Sequence, residues 1–157
     1  AVPTRRVEPY LSYKARVENT AASINAKYRE DGWEPIRYID YKLNHDELAA
    51  IYMGADLAII SSVYDGMNLV AKEYVASQVD EKGVLLLSEF AGAADGIPGA
   101  VLINPYDTEG FADAIKDALQ MPASEKMKAM GISRSYIKEN DIFKWVNDIL
   151  GEVEKIR

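Results

Sequence analysis

The chain has 157 residues, no cysteine, one histidine (His45), and 18 Lys and Arg against 25 Asp and Glu, for a net charge of −7. That size, with 48% hydrophobic and 27% charged residues, predicts one compact folded domain; the missing cysteines and the single histidine exclude disulfide scaffolds, thiol nucleophiles and the usual zinc sites. The acidic balance is the wrong sign for nucleic acid or an anionic membrane, no run nears a membrane span, and AVPTRRVEPY lacks the apolar stretch of a secretory signal, so a cytoplasmic protein is expected.

In chain order, Ala1-Val2-Pro3 reads as the end of a strand. Tyr10, Tyr13, Val17, Ala21, Ile24 and Tyr28 form the stripe of a helix burying one face, closed at Asp31-Gly32. Ile36-Arg37-Tyr38-Ile39 is a short strand candidate, and Asn44 with Glu47 forms a capping box for a helix that stops at Gly54. The apolar run Leu57-Ala58-Ile59-Ile60 suits a parallel strand covered on both faces. After a turn at Asp65-Gly66, Leu69, Val70, Tyr74 and Val75 have helical spacing, and Val84-Leu85-Leu86-Leu87 is again a buried strand. Ala100-Val101-Leu102-Ile103 follows as a strand, then a helix burying Phe111, Ala114, Ile115 and Ala118 and ended by Pro122. A helix over Ser124 to about Lys138 and a last one carrying Ile142, Trp145, Val146, Ile149, Leu150 and Val153 complete the chain. No linker or repeat marks an internal boundary. The alternation predicts an α/β, Rossmann-like three-layer domain: a parallel sheet with helices on both faces and ligands beyond the carboxyl ends of the strands.

The segment from Ser61 to Glu73 leaves a strand and opens a helix, where free amide N–H groups and the positive end of the helix dipole favour an anion such as a diphosphate. Gly66 lets the backbone approach closely, and Asp65 and Glu73, about two helical turns apart, suit a long hydroxyl-bearing ligand. An equally simple reading makes Asp65 a turn residue, Lys72 and Glu73 solvated, and Leu69, Val70 and Tyr74 core. The small-residue loop Ser88-Glu89-Phe90-Ala91-Gly92-Ala93-Ala94 permits close approach of a backbone or a ligand, or is tight turn packing. Arg5 and Arg6 form a phosphate grip or a solvated pair. His45 has no evident role, and Trp33 and Trp145 read as packing anchors.

Taken together, Asp65-Gly66-Met67-Asn68-Leu69-Val70-Ala71-Lys72-Glu73-Tyr74-Val75-Ala76, the run Gly83 to Ala94 and Asn104-Pro105-Tyr106-Asp107 resemble the trehalose-6-phosphate synthase family of retaining glycosyltransferases. Pro3-Thr4-Arg5, Asn25-Ala26-Lys27-Tyr28, Gly32-Trp33-Glu34-Pro35-Ile36 and Asn140-Asp141-Ile142 with Trp145 extend the resemblance over nearly the whole chain. It implies the C-terminal donor-binding domain of a two-domain GT-B enzyme, spanning 1–157 without the N-terminal acceptor domain. The family transfers glucose from UDP-glucose or another NDP-glucose to glucose 6-phosphate with retention, needing no metal or cofactor.

By that resemblance Asp65 is the catalytic-site carboxylate that holds hydroxyls of the donor glucose. The backbone amides of Gly66, Met67, Asn68 and Leu69 meet the sugar and diphosphate, Leu69 and Val70 line the pocket, and Glu73 takes the ribose hydroxyls. The acceptor-phosphate arginine falls on Arg5 or Arg6. Tyr64 stands where the family commonly has Arg. The resemblance further implies a full-length enzyme compatible with homo-oligomers and an isolated chain that does not turn over. Glucosylglycerol-phosphate synthase and a non-catalytic regulatory relative are the alternatives; a nicotinamide oxidoreductase is weakened because no G-x-G-x-x-G follows a strand.

Overall fold

The computed structural model describes residues 8–155; Ala1-Val2-Pro3 therefore lies outside the described residues. The order of elements is α1 (Tyr10–Tyr28), α2 (His45–Gly54), β1 (Leu57–Ile60), α3 (Leu69–Ser77), β2 (Val84–Ser88), a 3-10 turn (Gly92–Asp95), β3 (Val101–Ile103), α4 (Thr108–Gln120), α5 (Ala123–Glu139) and α6 (Ile142–Lys155). The chain gathers into two compact units divided between Leu43 and Asn44.

In the first unit α1 forms where its apolar spacing predicts, and Gly32 at φ +80° makes the turn that follows. Its stripe does not become a buried face, however. Only Ala21 is buried, while Tyr13 and Tyr28 are more than half exposed. Ile36 to Ile39 is not a strand either. The side-chain amide of Asn25 donates to the Ile36 carbonyl and accepts from the Ile36 N–H, both at 2.8 Å, so a side chain takes the groups that a ladder would pair. Lys14 pairs with Asp40 at 3.1 Å in the same unit.

The second unit is built on the parallel sheet β1-β2-β3, with Leu57 opposite Val84 and Leu86 opposite Val101. Side chains of the central strand alternate between two cores, as a period of two requires. Leu85 and Leu87 pack with Ile60, Ala71, Tyr74, Val75 and Met130 on the side of α3 and α5. Val84 and Leu86 pack with Ile103 and Ala118, flanked by Phe111, Ala114 and Ile115 from α4, on the other. Helices on both faces of a parallel sheet are the expected three-layer arrangement. The exception is β1, read as covered on both faces: Ile59 is 42% exposed, because among the described residues β1 stands at the edge of the sheet and α4 packs over β2 and β3.

Caps fix the helices that carry the second unit. The Asn44 side chain accepts from the Glu47 N–H and the Glu47 carboxylate from the Asn44 N–H, both at 2.9 Å, which is the expected capping box. At the carboxyl end of α3, Arg134 donates to the carbonyls of Val75 (3.2 Å) and Ala76 (2.7 Å), satisfying acceptors that the helix leaves open and placing a cation on its negative end.

Tyr74 is fully buried, with its hydroxyl donating to the Ala55 carbonyl at 3.2 Å. Burial pushes this hydroxyl up to about 12, and the charge of Asp56 adds to the shift. The folded value exceeds the roughly 10 of an unfolded tyrosine, so its contribution to stability is intact below about pH 10 and is lost as pH rises towards about 12. Tyr74→Phe removes that titration. Its urea midpoint is expected to fall less steeply than that of the parent chain between about pH 9.5 and 11.5, and parallel declines would refute the assignment.

Candidate functional site

The chain leaves β1 after Ile60 and enters α3 through residues 61–68 at the carboxyl edge of the sheet, the place where open α/β sheets present ligand-binding loops. This loop is ordered by its own side chains. Asp65 Oδ1 accepts the Met67 N–H at 3.0 Å, and Asp65 Oδ2 accepts from Asn68 Nδ2 at 2.8 Å. Asn68 has left-handed backbone at φ +70° and caps α3, its Oδ1 accepting the Ala71 N–H at 2.9 Å. The N–H groups of Leu69 and Val70, in the first helical turn, have no carbonyl one turn back within the helix. They are the donors an anion would meet.

The loop Ser88 to Ala94 braces this segment from behind. The Gly92 N–H donates to the Asp65 carbonyl at 2.8 Å, and Asp65 pairs with Ala91 in an isolated parallel bridge. A β-carbon at Gly92 would come within 2.8 Å of the Gly66 carbonyl carbon and 3.3 Å of the Met67 nitrogen. Of the two sequence readings of this cluster, the structure realises close approach of two backbones. Phe90 and Tyr106 lie edge to face at the same end of the sheet, ring centroids 5.8 Å apart.

Glu73 lies one turn further along α3, exposed, with the Tyr52 hydroxyl 3.5 Å from its Oε2. Burial raises the pKa of that hydroxyl, and the Glu73 charge and hydrogen bond raise it further. Neither Tyr52 nor Ser62, whose Oγ is 3.5 Å from Asn68 Nδ2, was singled out from sequence. No periodicity links residues 52 and 73, so only tertiary structure reveals that pair.

Among the predicted site residues, Asp65, Gly66, Met67, Asn68, Leu69, Val70 and Glu73 fall on this loop and the first turns of α3. The alternative that made Leu69, Val70 and Tyr74 core holds only for Tyr74; Leu69 is 61% exposed and Val70 is exposed too. Tyr64 is 96% exposed. Arg5 and Arg6 lie outside the described residues. His45 is the exposed first residue of α2.

Beside the loop opens a cleft of about 530 Å³, lined by Met67, Leu69 and Lys72 on one side and by Tyr136, Asp141 and Trp145 on the other. Trp145 is 51% exposed and lines this cleft, so the packing-anchor reading is corrected; Trp33 is also exposed. For Trp145 the cause is that an apolar residue on a stripe buries only where another element covers it, and α6 has no buried residue. Among the described residues no group of three or more His, Asp or Glu could hold a metal ion, and no helix is long and apolar enough to cross a membrane.

A parallel sheet covered by helices on both faces, with a glycine-containing loop running from a strand end into a helix N-terminus, defines the Rossmann-like α/β class. The chain belongs to glycosyltransferase family 20, whose model matches residues 1–155. It is 41% identical over 156 residues to alpha,alpha-trehalose-phosphate synthase [UDP-forming] A of Dictyostelium discoideum, covering 99% of this chain and 21% of that protein. It is 41% identical over 143 residues to glucosylglycerol-phosphate synthase of a Synechocystis strain, covering 91% of this chain and 29% of that one. The E. coli trehalose-6-phosphate structure bound with UDP-2-fluoro glucose superposes with a TM-score of 0.93 at 37% identity, covering 99% of this chain and 35% of that one. Over 97% of its length the chain shares the α/β fold of the matching 34% of a UDP-forming alpha,alpha-trehalose-phosphate synthase from Burkholderia xenovorans, at a TM-score of 0.91. The chain thus spans about a fifth to a third of the length of the curated relatives it matches.

Proposed function

We propose that the chain is the donor-binding, C-terminal domain of a retaining glucosyltransferase. The whole protein would move glucose from UDP-glucose, or another NDP-glucose, to glucose 6-phosphate and form trehalose 6-phosphate. The observation that carries this reading is the braced loop 65–68 opening onto α3, where a carboxylate, successive backbone amides and a helix N-terminus converge. Asp65 retains lone pairs beyond its two internal bonds, and these would accept from hydroxyls of the donor glucose. The amides of Gly66, Met67, Asn68 and Leu69 would meet the sugar and the diphosphate, with Leu69 and Val70 lining the pocket. Glu73 would take the ribose hydroxyls, and Arg5 or Arg6 the acceptor phosphate.

The chemistry assigned to this site is electrostatic. As the glycosidic bond to the diphosphate breaks, negative charge grows on the leaving group. Donors already aimed at that position stabilise it without reorganising, and the helix dipole contributes about 0.3–1 kcal/mol more. The remaining partners of the reading are a cytoplasmic setting, an oligomer of the full-length enzyme, and no nucleic acid or membrane. The similarity to a glucosylglycerol-phosphate synthase supports a second reading, in which the same donor site serves glycerol 3-phosphate as acceptor.

Calorimetric titration of this chain with UDP-glucose, ADP-glucose, GDP-glucose and NAD tests the donor assignment. Saturable binding of one sugar nucleotide is expected, weakened about 10-fold or more by Asp65→Ala or Glu73→Ala. Binding of NAD in preference to every sugar nucleotide would sink it.

A further inference from the structure

Asn68 is 9% exposed and meets three demands at once. Its backbone is left-handed, its Oδ1 caps α3 through the Ala71 N–H, and its Nδ2 points at Asp65 Oδ2, 2.8 Å away, and more loosely at Ser62. The first demand is met best by glycine and then by asparagine. The second needs only an acceptor, which Asp, Ser or Thr supplies as well. Neither accounts for a donor directed at a carboxylate. Asparagine is the residue that tolerates left-handed backbone while offering an acceptor and a donor from one side chain.

We propose that Asn68 is a positioning residue whose side chain acts through Asp65. With Oδ2 held by Nδ2, the carboxylate is fixed in the orientation that leaves Oδ1 on the Met67 N–H. The turn 65–67 is thereby closed against the backbone of Gly92, which holds the Asp65 carbonyl. Asn68 therefore couples two features otherwise independent: the start of α3 and the direction in which Asp65 presents its remaining lone pairs. A cap alone would set the first and leave the second loose. The consequence for ligand binding rests on the donor-site reading above; the coupling itself does not.

The test separates cap from brace with two variants of this chain. Asn68→Asp keeps an acceptor for Ala71 but sets a second carboxylate against Asp65, whereas Asn68→Gly keeps the left-handed backbone and removes both bonds. Amide hydrogen exchange at Met67 and Ala71, the thermal midpoint and UDP-glucose affinity are measured for each. For Asn68→Asp, Ala71 exchange is expected within about 2-fold of the parent, Met67 exchange about 10-fold faster, and affinity about 10-fold weaker with little change in midpoint. Asn68→Gly is expected to accelerate exchange at both amides. If Asn68→Asp leaves Met67 exchange at the parental rate, or moves it only in step with Ala71 and the midpoint, the side chain is a cap and the proposal is overturned. If the parent chain binds no sugar nucleotide, the donor reading fails on its own, while the Met67 and Ala71 rates still decide whether Asn68 holds Asp65.

Discussion

Gly92→Ala is expected to lower the stability of the chain by about 2–3 kcal/mol and to weaken UDP-glucose binding by more than 10-fold. The added β-carbon would press on the Gly66 carbonyl and approach the Met67 nitrogen to 3.3 Å. Those are backbone atoms, so no flexible side chain can swing aside. Overpacking of this kind costs about 1–3 kcal/mol, and displacing the loop also stretches the 2.8 Å bond from the Gly92 N–H to the Asp65 carbonyl, about 1 kcal/mol more. The effect is steric, since Gly92 is not among the residues at positive φ. Gly54→Ala provides the control: a β-carbon there meets nothing within 4 Å, and the position closes α2, so the same chemical change should stabilise by about 0.5–1 kcal/mol. Urea denaturation and calorimetric titration of both variants read the contrast. A Gly92→Ala chain with parental stability and affinity would show that the small-residue loop does not support the site.

What the sequence made legible follows from the range of the interactions involved. The capping box at Asn44 and Glu47, the buried run of β2 and the turn before α3 are set by neighbours a few residues apart, and each stands where its pattern places it. The segment at Ile36 carries a strand's composition without being a strand, because strand propensity records a side chain's fit to a sheet and says nothing about whether a neighbouring strand is there to pair with. Asn25 supplied the partner instead. The same limit explains Ile59, Trp145 and the α6 stripe: apolar spacing marks a face able to be buried, and burial needs a second element. At the site, the motif delivered Asp65, Gly66, Asn68 and Glu73 as one stretch of chain. The hydrogen bond from Asn68 to Asp65 and the close approach of Gly92 depend on the left-handed turn and on tertiary distance, which residue identities alone do not encode.

The second large effect is expected at the opposite end of α3. Gln78→Leu should cost about 2–3 kcal/mol, a substantial part of the 5–15 kcal/mol typical of a folded domain. Gln78 is almost completely buried, and its side chain joins three elements. Nε2 donates to the carbonyl of Tyr52 and to that of Ala55 (3.3 Å) at the end of α2, while Oε1 accepts the Gly83 N–H at 3.0 Å just before β2. Leucine fills a similar volume and satisfies none of these. Ala55 would keep its bond from the Tyr74 hydroxyl at 3.2 Å, and the Tyr52 carbonyl would keep the Ala55 N–H at 3.4 Å, so the penalty falls chiefly on the Gly83 N–H, at about 1–3 kcal/mol for a buried group left without a partner. Gln78→Glu separates the two halves of the contact. It preserves an acceptor for Gly83 but turns a carboxylate towards two carbonyl oxygens, an arrangement that raises the carboxyl pKa. Its deficit should therefore be small at low pH, where the protonated group can still donate, and grow as pH rises through the raised value. Denaturation midpoints from about pH 4.5 to 8 measure both variants against the parent. A Gln78→Leu chain within about 1 kcal/mol of the parent, or a Gln78→Glu deficit that does not change with pH, would mean that water or a shifted backbone replaces these bonds and that α3 is held in place by its apolar face alone.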